Sequence, residues 1–335
     1  MESRPGHLEP RRPAVKRIVK RIAEAVSKRY FSETVLDAYR HKDEKSHETI
    51  KRMARRDYGM EELRPLKRFT SCLFMEFVHQ VQIDLFHRGN EMGLGLAPIG
   101  FDDLKIHCWA SDANSSTVYL YGFSDNRTIF DLYRQYALPG TAALDVGANL
   151  GIHSLVLSRC VGKRGAVFSY EPVESIHRRL GDNIRANGLV NIVTRSTGIG
   201  EINGEVGFDD HAGKFNIGKG RVQKQAHATI PVTTIDEEAE DLRSPVSLIK
   251  IDVEGYELSA LRGARRTLER FEPALVLEFN PDRCAFPELV EAIPYRVDFY
   301  RIPYNFRETL QPVTVFPFHE RADLLVVPRS GKPPR

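Results

Sequence analysis

In the first quarter of the chain, apolar positions recur at helical spacing. Val15, Ile18, Val19, Ile22, Ala23 and Val26 follow the i, i+3, i+4, i+7 rhythm of one helical face. Lys16, Arg17, Lys20, Arg21 and Lys28 occupy much of the rest, so the pattern predicts a basic amphipathic helix. A second helix is expected after Ser32, a residue suited to N-capping, through Tyr39, and a third over 46–58. A fourth, over 70–87, carries Leu73, Phe74, Phe77, Val78, Val81, Leu85 and Phe86 and requires burial. Residues 1–13, rich in Pro and Arg and without apolar period, are expected to be a disordered tail. Glycines and a proline make residues 90–100 read as a loop. That loop divides an N-terminal helical extension, 14–100, from a second domain, 101–330.

Beyond Leu104 short Val/Ile/Leu-rich runs alternate with helical patterns. Strands are expected near 142–147, 166–171, 192–197, 229–235, 247–253, 274–280, 295–301 and 323–328. Helices fit at 150–161, 174–187, 256–271 and 284–293. This alternation predicts an α/β fold, a parallel sheet with helices on both faces. Ligands of such sheets bind beyond the carboxyl ends of the strands, where the strand order reverses.

Composition narrows the class. The 335 residues are 41% hydrophobic and 28% charged, as in ordinary globular proteins. No apolar run approaches the ~18–20 residues of a membrane span, and no apolar region follows the basic N-terminus as in a secretory signal. The cysteines, Cys72, Cys108, Cys160 and Cys284, form no CxxC pair, which excludes zinc-knuckle and thioredoxin-like readings. A reducing, cytoplasmic setting is expected. Residues 1–70 hold 19 Lys and Arg against 11 Asp and Glu, although the whole chain is only +3. Such a front end suits nucleic acid or anionic lipid, or is simply the solvated face of docked helices. The apolar stripe of the first helix lacks Trp and Phe, which argues against a membrane-surface role, and the basic clusters lack the interleaved aromatics of specific RNA readers.

Chemistry concentrates at three strand ends. In Ala142–Gly151 (AALDVGANLG) an apolar strand ends in an acid and a glycine loop opens a helix. Gly147 suits a tight turn against which a ligand can lie, and Gly151 lets the helix approach the strand. The spacing is GxNxG, without the third glycine of the dinucleotide fingerprint, and Asp145 beside the loop would repel a diphosphate. A ligand with cationic groups fits better, such as S-adenosylmethionine. The second strand ends Tyr170-Glu171-Pro172, and Glu171 is placed to accept hydrogen bonds from ribose hydroxyls. Asn183 and Asn187 on the next helix read as solvent-facing or capping, without a role. In Leu248–Glu257 (LIKIDVEGYE) alternation sends Lys250 and Asp252 to one side, with Asp252 at the strand tip. Glu254 and Glu257 either open the following helix, where carboxylates complement the dipole, or join the chemistry. Glu278 adds an acid at the end of the next strand.

The ordered set DVGANLG, YEP, TTID, KIDVEGYE and LVLEFNP closely resembles the FkbM-type methyltransferases, a branch of the class I S-adenosylmethionine-dependent enzymes. The resemblance covers about 115–328. It implies a Rossmann-like, seven-stranded, mostly parallel sheet with an antiparallel last strand, and methyl transfer from S-adenosylmethionine, usually to a hydroxyl of a sugar or small molecule. By the same resemblance Asp145, Gly147, Asn149 and Gly151 line the methionine end of the cofactor. Glu171 holds the ribose, the segment 196–198 ending in Gly198 lies near the adenine, and Asp252 faces the transferred methyl. A hydroxyl nucleophile needs a base, for which Asp252, assisted by Glu254 or Glu278, is the first candidate and His153 the second. These carboxylates also suit magnesium, but nothing converges them on one point, and no metal is expected. Residues 200–229 read as a hairpin or flap near the acceptor pocket. The rival readings are a catalytically inactive methyltransferase-like binding protein recruited through its basic helices, and an NAD-type oxidoreductase. Acceptor identity and oligomeric state are not specified by the sequence, nor is the choice of oxygen or nitrogen as the methylated atom.

Overall fold

Alternation along four short strands explains the centre of the computed structural model. Ala143, Val167, Leu248 and Val276 point to one face of the sheet and Leu144, Ile249, Ile251, Leu275 and Leu277 to the other, all buried. Strands that bury both faces need helices on both sides, and that is the arrangement found. The described residues are 93–109, 112, 115, 118, 127–209, 221–222, 228–240, 242–303, 309–315 and 318–329, all within one compact unit spanning 89–335. The tail and helices expected over 1–87 lie outside them.

The chain enters through β1 (Gly93–Pro98) and β2 (Lys105–Trp109), which pair antiparallel. Residues 93–98, expected as loop, are thus a strand. Their glycines mask an extended segment that gains its hydrogen bonds from β2 and buries Ala97. Helix α1 (Arg127–Tyr136) follows, then β3 (Ala142–Val146), α2 (Ile152–Val161), β4 (Ala166–Tyr170), α3 (Glu174–Ala186) and β5 (Ile192–Arg195). A small sheet is built from β6 (Gly198–Ile199), β7 (Gly204–Asp209), β8 (Arg221–Val222) and β9 (Ala228–Thr233). The chain continues with α4 (Ile235–Glu238), β10 (Val246–Ile251), α5 (Glu257–Arg262), α6 (Arg265–Phe271), β11 (Ala274–Phe279) and α7 (Phe286–Glu291). It closes with β12 (Val297–Arg301), β13 (Gln311–Pro312) and β14 (Ala322–Pro328).

The main sheet has the order β13-β12-β14-β11-β10-β3-β4-β5. Strands β11, β10, β3, β4 and β5 are mutually parallel, and β14 inserts antiparallel beside β11. Among the described residues this sheet has eight strands where seven were expected, because the two-residue β13 extends the edge beside β12. The strand expected over 229–235 belongs instead to the small sheet, as β9. Helices α1–α3 with β1–β2 cover one face and α4–α7 the other. Strand order reverses between β3 and β10, so the loops after these two strands part there and open a cleft.

The buried stripe of α3 is Ile176, Leu180, Asn183 and Ile184. Asn183, expected to face solvent or to cap, is completely buried; it accepts from His107 N at 2.7 Å and donates to Leu150 O at 2.8 Å. Asn187 is bonded to both backbone groups of Lys105 at 2.9 and 2.7 Å. The two amides therefore tie β2 and the loop after β3 to α3, a cross-link made by residues distant in the chain.

Candidate functional site

The cleft is lined by the loop after β3 (Gly147, Asn149, Leu150), by Glu171 after β4, and by Lys250, Asp252 and Glu254 on and after β10. Its other wall is apolar: Val173 and Ile176 face Phe208, Ile230 and Val232 of the small sheet. The segment expected as a hairpin over 200–229 is in part that sheet, where β7 and β9 pair antiparallel. Gly198 lies at the same wall, in β6.

Backbone geometry shapes the loop. Gly147 has φ +80°, and a Cβ there would stand 1.9 Å from the carbonyl oxygen of Asp252. The tips of β3 and β10 can touch only through a residue without a side chain. Gly151, φ +91°, would drive a Cβ to 2.4 Å from Leu180 Cδ1, so it sets the approach of α2 to α3. Asn149 also adopts positive φ, +49°. Most loop amides are consumed internally. Gly147 N and Ala148 N donate to Tyr170 O at 3.1 and 2.9 Å, Gly151 N donates to Ala148 O at 2.9 Å, and Asn149 N donates to Glu171 Oε2 at 3.0 Å. A pyrophosphate seat requires such N–H groups pointing outward. Here they point into the protein.

Glu171 is nearly buried, and its Oε1 accepts from Val173 N at 2.9 Å. Burial pushes its pKa up to about 7, against the opposing pull of the two backbone donors and Lys250. Each oxygen retains a lone pair for a ligand hydroxyl.

Asp145 is placed differently from the expectation that it lines the ligand. It is absent from the cleft wall and completely buried. The parallel register sets Lys250 beside it on β10, with Nζ 3.1 Å from Oδ1, while Ser154 Oγ donates to Oδ2 at 2.5 Å and Ser169 Oγ to Ser154 Oγ at 2.8 Å. Lys250 Nζ also donates to Gly147 O at 2.7 Å. Asp145 and Lys250 thus form a compensated internal pair that holds the glycine turn, and Asp145 presents no net charge to a ligand. Ser154, Ser169 and the pairing of Lys250 were not anticipated, because parallel register is not written in local sequence.

Asp252 follows β10, tied to β3 by its N–H to Val146 O at 3.1 Å. Its side chain is 50% exposed and its Oδ2 lies 4.0 Å from Lys250 Nζ, so the carboxylate is available in the cleft. Glu254, φ +48°, sits in the turn before α5 and pairs with Arg283 at 3.0 Å. Glu257 opens α5, and its Oε1 accepts from Gly255 N at 2.9 Å and Val253 N at 3.3 Å, bracing the same turn. Glu278 stands apart: it is not in the cleft wall and is held by Arg321. His153 lines the cleft; its Nδ1 is 2.9 Å from the hydroxyl of Tyr133 on α1. Among the described residues no group of three or more His, Cys, Asp or Glu is arranged to hold a metal ion, and no helix is long and apolar enough to cross a membrane.

Residues 145–306 match the family described as Methyltransferase FkbM domain. That stretch carries every strand-end motif of the cleft. A curated relative, the hexuronic acid methyltransferase AglP of Haloferax volcanii, is 32% identical over 127 residues, covering 37% of this chain and 50% of the relative. The match therefore spans half of that relative's length. Among solved structures, the FkbM methyltransferase of Methylobacillus flagellatus KT aligns with 18% identity over 63% of this chain and 52% of that one, TM-score 0.38. A SAM-dependent O-methyltransferase of Thermotoga maritima aligns with 16% identity over 62% and 66%, TM-score 0.35. Within the matched stretch lie α2, Glu171, Lys250, Asp252 and Glu254; Tyr133, β1 and β2 precede it.

Proposed function

We propose that this chain transfers a methyl group from S-adenosylmethionine to a hydroxyl, on a sugar or related small molecule. The observation that carries the reading is the joining, in one cleft of an FkbM domain, of a phosphate-unfit glycine turn, a buried carboxylate at Glu171 and an available carboxylate at Asp252. The residues fit the donor. The bare backbone at Gly147 leaves room at the turn, and Glu171 suits the ribose hydroxyls. Val173, Ile176, Phe208, Ile230 and Val232 offer apolar surface for a purine near Gly198, and Asp252 sits at the methyl end. The donor supplies a methyl already activated by positively charged sulfur, so the protein's task is alignment and removal of a proton.

Asp252 takes the proton from the acceptor hydroxyl, which turns a weak nucleophile into a competent one. Arg283 holds Glu254 and the Glu257 brace holds the turn, fixing the loop that carries Asp252. Glu278 takes no part in this account, since Arg321 occupies it outside the cleft. The likeness to a hexuronic acid methyltransferase supports a sugar acceptor, with a uronic acid the first to test.

The direct test is product mass after incubation with methyl donor and uronic acid glycosides, read as a gain of one methyl group. Asp252→Asn is expected to lower kcat by about 10²–10⁴-fold while S-adenosylhomocysteine still binds. Retention of most of the wild-type kcat contradicts the role of Asp252.

A second prediction concerns pH. The folded pKa of Glu171 is raised, so its contribution to stability is present at acid pH and lost as pH rises through about 7. Ligand hydroxyls prefer the ionised carboxylate, so affinity for S-adenosylhomocysteine should increase through the same pH range. Titration calorimetry across that range should show this rise in wild type and none in Glu171→Gln; an unchanged slope in the variant assigns the effect elsewhere.

A further inference from the structure

Tyr133 and His153 form a pair, with His153 in the cleft wall, that the proposed transfer does not use. We propose that Tyr133 fixes His153 as a neutral imidazole whose Nε2–H binds a carboxylate oxygen of a ligand, so that His153 is an anchor and not the proton acceptor. The inference rests on the reading that the cleft holds a methyl donor.

Hydrogen-bond accounting sets the direction of the contact. Tyr133 is fully buried, and its hydroxyl lies 2.9 Å from His153 Nδ1. A buried phenol must donate its proton to an acceptor. Were Nδ1 to carry hydrogen and donate to Tyr133, the phenolic hydrogen would be left with no acceptor. Tyr133 therefore donates, Nδ1 accepts, and the single hydrogen of the neutral ring sits on Nε2. An imidazolium, protonated on both nitrogens, would orphan the same phenolic hydrogen.

Two further features agree. Burial, then the Lys250 ammonium, lowers the His153 pKa to about 4, and burial raises that of Tyr133, so each holds the stated protonation at neutral pH. Edge-on packing against Phe130 at 6.0 Å and Tyr133 at 5.7 Å fixes the ring plane. Nε2 is not among the buried, unpartnered side-chain atoms of the described residues, unlike His177 Nε2, and His153 lines the cleft. With Nδ1 engaged by Tyr133 and the ring half-buried in the cleft wall, Nε2 is the nitrogen left for a ligand.

An anionic oxygen is the partner the surroundings favour. His153 stands in the first turn of α2, where Gly151 supplies no side-chain cap; of the two carboxylates that act on the ring, Asp145 is paired with Lys250 at 3.1 Å and Asp252 lies 4.0 Å from the same ammonium. A carboxylate could come from the amino-acid end of the methyl donor or from a uronic acid acceptor.

The experiment compares wild type, His153→Leu, His153→Gln and Tyr133→Phe. Calorimetry uses S-adenosylhomocysteine and methylthioadenosine, which lacks the amino-acid end; KM is measured for a uronic acid glycoside and its neutral counterpart. Nitrogen-15 NMR of the ligand-free protein reads the His153 tautomer.

In wild type the Nε2–H tautomer is expected, giving way to a mixture in Tyr133→Phe. His153→Leu should lose about tenfold in affinity for S-adenosylhomocysteine and none for methylthioadenosine, which assigns the donor's carboxylate. Alternatively, it should raise KM about tenfold for the acidic glycoside alone, which assigns the acceptor's. His153→Gln, which keeps a donor near the Nε2 position, should restore most of either loss.

The proposal is overturned if His153→Leu leaves both carboxylate ligands unaffected, weakens both nucleosides alike, or lowers kcat alone. An Nδ1–H tautomer in wild type also overturns it. Failure of wild type to bind S-adenosylhomocysteine instead overturns the donor reading, and the ligand proposed for His153 with it.

Discussion

Gly147→Ala is expected to weaken S-adenosylhomocysteine binding by at least about a hundredfold while the protein remains folded. The cause is local and steric. The new methyl would stand 1.9 Å from Asp252 O, 3.0 Å from Asp252 C and 3.2 Å from Val253 Cγ1, on a backbone already at φ +80°. The two nearest neighbours are backbone atoms, which cannot swing aside as a side chain can. Relief requires β3 and β10 to separate at their tips, which carries Asp252 away from the turn and breaks the 3.1 Å bond from Asp252 N to Val146 O. Gly140→Ala is the control: its φ is +83°, but nothing lies within 4 Å of its Cβ position. That variant should lose about 1 kcal/mol of stability from backbone strain and keep wild-type affinity. Equal behaviour of the two variants in calorimetry and denaturation would show that strain, not the contact with Asp252, controls the site.

The second large effect is on stability. Lys250→Met is expected to destabilise the fold by about 3–5 kcal/mol, because it strands the Asp145 carboxylate in a fully buried position. Ser154 would remain as its donor, but one hydrogen bond from a hydroxyl does not replace an ammonium at 3.1 Å. Gly147 O would also lose its 2.7 Å donor, so ligand affinity should fall as well. The double variant Asp145→Asn with Lys250→Met removes both charges and should recover a large part of the lost stability, seen as a denaturation midpoint closer to wild type. Strictly additive losses would mean that the two side chains do not act as a pair.

Much of this site is legible in the chain because the chemistry follows the strand ends. Gly147, Glu171, Asp252 and Glu254, read from the strand ends, and Asn149 and Gly198, placed by the family resemblance, come together in the cleft wall. What the sequence hides is register and distance. Lys250 is 105 positions from Asp145 and becomes its neighbour only through parallel pairing of β10 with β3, so an acid that reads as ligand-facing is in fact neutralised inside. Asn183 lies on a helix whose polar face is exposed elsewhere, and only the docking of β2 explains its burial. Nothing in the local sequence singles out Tyr133, whose hydroxyl gains meaning only beside His153. Glu278 shows the converse error: it is at a strand end as expected, but the antiparallel β14 runs alongside it and Arg321, just before that strand, takes the carboxylate.

The central claim is that the turn after β3 spends its amides on Tyr170 and Glu171 and so accepts a sulfonium nucleoside in place of a pyrophosphate. Titration calorimetry of the purified full chain with S-adenosylhomocysteine and with NAD tests it most directly. Saturable heat with the first and none with the second is predicted; binding of NAD without S-adenosylhomocysteine would contradict it.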